Sequence, residues 1–248
     1  MAREKLKVLD LFSGIGGFSL GLERAGMQTV AFCEIDPFCR KVLKKHWPDV
    51  PIFEDVKTLK GSDVGPVDVI TAGFPCQDIA ICGTGKGLDG EKSGLWSEVE
   101  RLAGELRPRL IILENSTEIL DGRWMGRLLG GLACLGYDAE WDMFPALAFG
   151  SPHRRDRFYL VAYPCGAGQE KQYMPTIAGK AEQRQYSFGP LQRGFFWPED
   201  QPPVLRDGHD VPSRVDRIGA LGNAVVPQIP EMIGRAIIEA ERGNQHGA

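Results

Sequence analysis

The sequence predicts an α/β protein built on a doubly wound, mostly parallel sheet. Short apolar runs with the length of buried strands alternate along the chain with segments of helical period. Several of these runs end in an acidic residue or a glycine, as strands in such sheets often do. The 248 residues are enough for one large domain, or for one domain with a small appendage. Together these observations favour a central sheet with helices on both faces.

The composition is that of a globular protein in a reducing compartment. Hydrophobic residues make up 43% of the chain and charged residues 25%. No apolar run approaches the roughly 18 residues of a membrane span, and residues 1–7 lack a signal-peptide core. We therefore expect a cytoplasmic protein with no membrane partner. The six cysteines contain no CxxC pair, which argues against a metal site and a disulfide framework.

The first part of the chain contains three predicted strands, at residues 7–12, 29–33 and 52–53. A glycine turn follows the first strand and leads into a predicted helix at residues 18–25. The next helix begins at Pro37, a favourable first-turn residue, and runs to about residue 45. This order of elements is the beginning of a doubly wound sheet.

Alternation of strands and helices continues in the second part of the chain. Further strands are predicted at residues 68–72, 110–113, 137–144 and 158–162, and further helices at 95–106, 124–135 and 227–242. Between residues 164 and 212 no period survives, and Pro, Gly, Gln and aromatic residues dominate. The sequence thus predicts a main domain (1–163), a small irregular region (164–212) and a segment returning to the main domain (213–248).

Cys76 stands on a predicted loop just after the strand at residues 68–72. Gly73 ends that strand, and Pro75 holds the following backbone extended. A cytosolic cysteine is most often a buried structural residue. Here the stiff Pro75 and the glycine-rich residues 77–94 instead favour a reactive thiol on a loop that closes over a substrate.

A glycine turn and two acids predict a nucleoside pocket. The dinucleotide pattern GxGxxG is not satisfied, because Ser19 occupies its last glycine. Glu34 ends the second strand, where it would accept hydrogen bonds from a ribose, and Asp55 follows the third, where it would accept one from an adenine amino group. Each acid alone is typical of a solvated strand end. Both acids and the glycine turn, on three successive strand ends, favour a ligand without a pyrophosphate requirement.

Glu114 ends a buried strand that we expect beside the strand leading to Cys76. Desolvation at this edge should raise the pKa of its carboxyl toward neutrality. The alternative is an N-cap acid for the segment beginning at Thr117. Arg155 and Arg157, two residues apart, would point the same way along an extended chain and clamp a base or a carboxylate. A solvated basic cluster is the alternative for this pair.

Five motifs occur in the order found in the DNA (cytosine-5)-methyltransferases, and the chain resembles that family over about residues 6–163 and 213–240. The motifs are DLFSGIGG at 10–17, PCQ at 75–77, EN at 114–115, RDR at 155–157 and GNAVVP at 222–227. The resemblance implies the S-adenosylmethionine-dependent methyltransferase fold with a small target-recognition region. It also implies S-adenosylmethionine as cofactor, S-adenosylhomocysteine as its product, and double-stranded DNA as substrate.

The resemblance also implies residue roles. Cys76 would attack carbon 6 of a flipped-out cytosine, Glu114 would hydrogen-bond to or protonate ring N3, and Arg157 with Arg155 would orient the base and its carboxylate partner. The implied cofactor site consists of Phe12, Gly14, Gly16, Gly17, Glu34, Ile35, Asp55, Val56, Leu95, Asn223 and Ala224. The implied DNA contacts are Gln77, Lys86, Lys92, Arg184, Arg193, Arg206 and Arg214.

The sequence departs from the family pattern at two motif positions and in the recognition region. His153 stands where the family usually has Gln, and Ser116 where Val is common. The recognition region is short, which suggests a short target site, a partner subunit or weak specificity. We expect its small core to be formed by Tyr173, Tyr186, Phe195, Phe196 and Trp197.

Three functions are alternatives to DNA cytosine methylation. An RNA-methylating branch shares the fold and the cysteine, and a regulatory homologue would bind DNA without catalysis. A nucleotide-dependent dehydrogenase is disfavoured by Ser19 and leaves the Cys76 loop unexplained. We expect a monomer on DNA, from a phage or a restriction–modification system. The sequence leaves a companion restriction endonuclease open.

Overall fold

The computed structural model describes residues 4–75, 94–150, 154–167, 172–175 and 220–243. Within these ranges the seven predicted strands form one sheet. They are Lys7–Leu11 (β1), Gln28–Cys33 (β2), Ile52–Phe53 (β3), Val69–Ala72 (β4), Leu110–Asn115 (β5), Tyr137–Pro145 (β6) and Asp156–Pro164 (β7). The helices are Gly17–Ala25 (α1), Pro37–His46 (α2), Gly61–Val64 (α3), Leu95–Leu106 (α4), Gly122–Cys134 (α5) and Gln228–Gly243 (α6). Each predicted strand and helix is confirmed, with its ends shifted by at most two residues.

The sheet has the strand order β3-β2-β1-β4-β5-β7-β6. Strands β3, β2, β1, β4 and β5 are mutually parallel, whereas β7 runs antiparallel to both β5 and β6. The predicted mostly parallel sheet is therefore confirmed. Because β7 is reversed, its first residues lie at the same edge of the sheet as the last residues of β5, and Asn115 pairs with Phe158.

Helices cover both faces of the sheet, as the doubly wound prediction requires. On one face α4 and α5 bury Trp96, Leu102 and Leu132 against the strands. On the other face α1 and α6 bury Leu22 and Ile233. Full burial of each such side chain contributes about 1.5–3 kcal/mol, so the two apolar layers hold the strand ends in fixed positions. No helix in the described part of the chain is long and apolar enough to cross a membrane.

Helices α1 and α6 approach each other through glycines. A Cβ at Gly17 would overlap the carbonyl oxygen of Val225, and one at Gly21 would overlap the carbonyl oxygen of Pro227. A Cβ at Gly234 would lie only 2.7 Å from the Cβ of Ala25. The first two contacts are between backbones, so α6 and the segment before it are held directly against α1.

A buried carboxyl group ties β1, β4 and α1 together. Asp10 accepts a hydrogen bond of 2.6 Å from the hydroxyl of Thr71 and one of 2.7 Å from the hydroxyl of Ser19. Burial raises the pKa of Asp10 to about 7, although both hydrogen bonds act in the opposite direction. Ser19, which breaks the dinucleotide pattern, therefore has a structural role here.

Tyr173, one of the residues predicted for the core of the recognition region, packs against the main domain. Its ring centroid lies 4.9 Å from that of Tyr163 on β7, and its hydroxyl donates to Glu241 of α6 over 3.0 Å. The residue follows β7 closely and is only 2% exposed in the layer beneath α6. Most of the predicted recognition region, including Tyr186, Phe195, Phe196 and Trp197, lies outside the described residues.

The substitution Gly21→Ala is expected to destabilise the protein, whereas Gly126→Ala on the exposed face of α5 is expected to stabilise it. Alanine favours a helix interior over glycine by about 1 kcal/mol at both positions. At Gly21 the new methyl group overlaps a backbone carbonyl, and relief of such overpacking costs about 1–3 kcal/mol. At Gly126 the new methyl group would meet no atom of another described element within 4 Å. Urea denaturation midpoints that move in the same direction would contradict this account of the α1–α6 contact.

The substitution Asp10→Asn is expected to change how stability depends on pH. Because the unfolded carboxyl has a pKa of about 4, folding takes up a proton between about pH 4 and 7. This contribution of Asp10 is fully present below that window and is lost as the pH rises through about 7. The free energy of unfolding of Asp10→Asn minus that of wild type should therefore increase between pH 5 and 8. Parallel pH profiles from urea denaturation would refute the raised pKa.

Candidate functional site

The predicted site residues lie at the carboxyl ends of the parallel strands. Phe12 directly follows β1, Glu34 follows β2, and Gly73 follows β4. Asn115 is the last residue of β5, which pairs with β4. Because parallel strands end at a common edge, the glycine turn, the acids and the start of the Cys76 loop share one edge of the sheet.

The glycine turn after β1 is fixed to the end of β2 by Glu34. This carboxylate accepts hydrogen bonds from the amide of Gly14 over 2.7 Å and from the amide of Asp36 over 2.8 Å. Gly14 and Gly16 have φ angles of +54° and +86°, which glycine adopts without strain. The sequence thus places Glu34 correctly beside the glycine turn, and the structure shows that it also shapes the turn.

The residues around this turn fit the adenosine part of S-adenosylmethionine. Among the described residues, apart from its chain neighbours, none has an atom within 4 Å of the position that a Cβ on Gly14 would take, so a ligand can approach the backbone. Glu34 has acceptor positions beyond the two that these amides occupy, and a ribose carries two hydroxyl donors. Ile35, next in the chain, is 70% exposed and offers apolar surface to a base.

The remaining predicted cofactor residues on this side lie around the segment after β3. Asp55 accepts a hydrogen bond of 2.9 Å from the amide of Lys57, and the side chain of Val56 is buried in the core. The side chain of Val56 is therefore not available to a ligand. Leu95 begins α4, and Arg101 of that helix donates to the carbonyl of Val56 over 3.0 Å. Helix α4 thus holds this segment in place.

A cavity of about 350 Å³ joins the glycine turn to the segment before α6. Its lining includes Gly16, Gly17, Arg155 and Ala224. Asn223 is exposed at the end of a helical turn formed by residues 220–223. The structure therefore brings two of the predicted glycines and Ala224 together, although they are separated by about 200 positions in the chain.

Glu114 lies between Arg157 and the end of the strand that leads to Cys76. The Arg157 Nε atom is 3.3 Å from Glu114 Oε1, and a Cβ on Gly73 would lie 3.3 Å from Glu114 Oε2. Burial raises the pKa of Glu114 to about 7, while the positive charges of Arg157 and Arg155 act against the rise. The predicted direction of this pKa shift is confirmed, and the carboxyl exchanges a proton near neutral pH.

Asn115 fastens the start of the Cys76 loop to β5. Its side-chain amide donates to the carbonyl of Phe74 over 3.2 Å, and its side-chain oxygen accepts from the amide of Ser116 over 2.8 Å. Asn115 is 4% exposed, so these bonds are protected from water. Sequence reasoning gave Asn115 no role. The alternative that Glu114 caps the next helix was wrong, since Ser116 occupies the N-cap position.

Arg155 and Arg157 make different contacts, although both guanidinium charges act on Glu114. Arg155 directly precedes β7 and has a φ of +34°, so the backbone is not extended at this residue. Arg157 contacts Glu114, whereas the Arg155 guanidinium donates to the carbonyl oxygens of Gly222 and Ala224. The pair therefore divides between the buried acid and the segment before α6.

Several predicted site residues lie outside the described part of the chain. They are Cys76, Gln77, Lys86, Lys92, His153, Arg184, Arg193, Arg206 and Arg214. The roles of the nucleophile and of all the named DNA contacts accordingly stay predictions. What the structure does describe is the final turn before Cys76, through Pro75.

The strand order, together with a sheet edge that fits a nucleoside, defines the S-adenosylmethionine-dependent methyltransferase fold. Solved structures of methyltransferases are similar to this fold. One is a prophage-encoded protein of E. coli named as a DNA modification methyltransferase, with a TM-score of 0.59 and 26% identity. That match covers 70% of this chain and 51% of the other. The S. pombe Dnmt2 methyltransferase has a TM-score of 0.56 at 22% identity, covering 64% of this chain and 51% of its own.

The family model of the C-5 cytosine-specific DNA methylases matches residues 6–191, and the chain belongs to this family. Type II methyltransferase M2.BsuMI of Bacillus subtilis (strain 168) is 39% identical over 164 residues, covering 63% of this chain and 42% of that protein. Type II methyltransferase M.CviJI of Paramecium bursaria Chlorella virus IL3A is 31% identical over 223 residues, covering 89% and 56%. The chain spans about half the length of the curated relatives it matches.

The substitution Arg157→Gln is expected to raise the pKa of Glu114 further. The guanidinium favours the charged carboxylate, so its removal leaves the desolvation that favours the protonated acid. Infrared spectroscopy measures the titration. Subtracting the spectrum of the same protein with Glu114→Gln added isolates the Glu114 carboxyl band, which is recorded as a function of pH. The matched control is Arg154→Gln, because Arg154 is 82% exposed and pairs with Asp156 instead. An unchanged titration midpoint in Arg157→Gln would contradict the contact as described.

Proposed function

We propose that the protein transfers a methyl group from S-adenosylmethionine to carbon 5 of a flipped-out cytosine in double-stranded DNA. The observation that carries the proposal is Glu114, a buried carboxyl with a pKa of about 7 at the strand edge where the Cys76 loop begins. Membership of the C-5 cytosine-specific DNA methylase family supports the same reaction. The relatives M2.BsuMI, M.NgoBI and M.CviJI are named type II methyltransferases.

The first chemical step is activation of the base by Cys76. Carbon 5 of cytosine belongs to an electron-poor aromatic ring and is a weak nucleophile. Addition of the Cys76 thiolate to carbon 6 breaks the 5,6 double bond and moves its electron pair to carbon 5. Gly73, three residues before this cysteine, lies beside Glu114, and the carbonyl of Phe74 accepts a hydrogen bond from Asn115.

Glu114 stabilises the negative charge that develops in the ring. A carboxyl with a pKa of about 7 is protonated in a large fraction of molecules at neutral pH, so it can donate to ring N3. Because the group is already buried, little solvent reorganisation accompanies this donation. Arg157 holds Glu114 in orientation through its contact of 3.3 Å and prevents its pKa from rising further.

The cofactor would be held by Glu34 at its ribose, by Ile35 at its adenine and by the backbone near Gly14. When bound, S-adenosylmethionine supplies an electrophilic methyl group. Asp55, Val56, Leu95, Asn223 and Ala224 complete the proposed pocket. Once carbon 5 has taken up the methyl group, with S-adenosylhomocysteine as the leaving group, loss of the carbon 5 proton expels the Cys76 thiolate. Return of the N3 proton to Glu114 then restores the aromatic ring and the free enzyme.

The substrate is proposed to be duplex DNA from which the target cytosine has left the stack. Carbon 6 is covered by neighbouring bases in a helix, so a thiolate reaches it only after base flipping. We further propose that the protein works in the cytoplasm as a monomer on DNA. A companion endonuclease is left open, because the type II names belong to the relatives.

Covalent trapping tests the nucleophile. A duplex with 5-fluorocytosine at the target base retains the adduct, because fluorine on carbon 5 cannot leave as the proton does. With S-adenosylmethionine present, the wild type is expected to form an adduct that survives denaturing electrophoresis, and Cys76→Ser is expected to form none. Cys134→Ser is the matched control, since Cys134 is an exposed free cysteine on α5. An adduct that persists in Cys76→Ser would sink the proposed mechanism.

The target sequence and the type of nucleic acid are tested by two assays. Bisulfite sequencing of plasmid from an expressing host is expected to show protected cytosines in one short sequence context. Duplex DNA, and not tRNA, is expected to gain label from a labelled methyl donor. Label only in tRNA would replace the proposal with the RNA-methylating function.

The rate of methylation is expected to fall above about pH 7, because Glu114 then loses the proton it donates. In Glu114→Gln the rate should drop by about a hundredfold or more, in line with the usual contribution of general acid catalysis. The residual rate of Glu114→Gln should no longer fall on that alkaline side. Single-turnover rates between pH 6 and 9 measure both effects. If the rate of Glu114→Gln fell as steeply above pH 7, the fall would come from the titration of another group and not of Glu114.

A further inference from the structure

We propose that Arg155 is a positioning residue for the methyl-donor site rather than a second clamp on the base. It directly precedes β7, two residues before Arg157, yet its guanidinium donates to the backbone carbonyls of Gly222 and Ala224. This inference rests on the proposed function, because it assigns the residue to one of the two substrates of that reaction.

The contact is a fork that grips two carbonyl groups of one short segment. Arg155 Nη1 donates to the carbonyl oxygen of Gly222, and Nη2 donates to that of Ala224 over 3.2 Å. A planar guanidinium presents two donors in a fixed geometry, and the two acceptors are two residues apart. Such a contact fixes the position of a backbone segment more firmly than a single hydrogen bond.

The other side of the same segment rests on the glycine turn. At Gly17 a side chain would overlap the carbonyl oxygen of Val225, so the two backbones touch. Gly16, Gly17, Ala224 and Arg155 line one cavity of about 350 Å³. Residues 222–225 therefore form a wall of this cavity, held between Arg155 and the glycine turn that approaches the proposed cofactor. Displacement of this wall would change the shape of the cavity.

The backbone of Arg155 has an unusual conformation that surrounding contacts maintain. Its φ of +34° is rarely adopted by residues other than glycine, and such backbone strain persists only where surrounding contacts maintain it. One such contact is the hydrogen bond of 3.2 Å from the amide of Ala146 to the carbonyl of Arg155. The side-chain contact with Glu114 belongs to Arg157, while Arg155 acts on Glu114 only as a nearby charge.

The test compares Arg155→Lys with Arg157→Lys in the full chain. Binding of S-adenosylmethionine without DNA is measured by calorimetry, and steady-state rates give the donor KM and kcat. Arg155→Lys retains the charge but loses the fork, so its Kd for the donor is expected to rise about ten- to hundredfold, with a matching rise in KM. Its kcat at saturating donor should stay close to wild type. Arg157→Lys should lower kcat and leave the Kd for the donor close to that of wild type.

Arg154→Ala is the neighbouring control, because Arg154 is 82% exposed and pairs only with Asp156 in the described contacts. Hydrogen exchange supplies a second measurement that does not depend on turnover. In Arg155→Lys the amides of residues 221–226 should exchange faster, while those of β1 and β5 stay protected. A change across the whole sheet would show that Arg155 serves overall stability, which would overturn the proposal.

Unchanged donor binding in Arg155→Lys would also overturn the inference, as would a fall in kcat without a change in Kd. The latter result would place Arg155 at the base. Failure of the wild type to bind S-adenosylmethionine would instead refute the proposed function itself. The two failures are distinguishable, since one is seen in the wild type and the other only in the comparison of variants.

Discussion

The reversal of β7 beside β5 is the constraint on which the site depends. In a wholly parallel sheet the residues that begin a strand lie at the edge opposite those that end its neighbour. Because β7 is antiparallel, Arg157 at its start meets Glu114 at the end of β5. Two segments more than 40 positions apart thus form one acid–guanidinium pair beside the end of β4. Two apolar layers hold this register, since a slip by one residue would turn each side chain to the other face.

Two buried carboxyls have similarly raised pKa values and serve different ends. Asp10 is fully enclosed and receives hydrogen bonds from two hydroxyl groups, so its network joins strands and helix without reaching a ligand. Glu114 lies at the open edge, with a guanidinium on one side and the end of β4 on the other. Desolvation is the largest cause of both shifts. Position on the sheet, and not the pKa itself, therefore separates the stabilising acid from the proposed catalytic one.

The periodicity of apolar residues was enough to predict the limits of helices and the ends of strands. The limits of α4 were predicted residue for residue, and the place of Glu114 followed from apolar strands of matching length. Arg155 could not be placed in this way, because its left-handed backbone and its distant acceptors are set by tertiary contacts. The packing of Tyr173 beneath α6 could not be predicted, because composition marks where a period is lost and not where packing ends. An acid within an apolar strand was the one available signal for the Asp10 network.

The glycine contacts between α1 and α6 bear on how the protein is made. Translation delivers α1 long before α6, so the partner of Leu22 is missing while the strands between them are made. A nascent chain can form the parallel strands, but α1 keeps an uncovered apolar face until α6 has been synthesised. Residues 222–225 are likewise made after every strand of the sheet. The cavity beside the glycine turn is therefore completed only after the whole sheet has been synthesised.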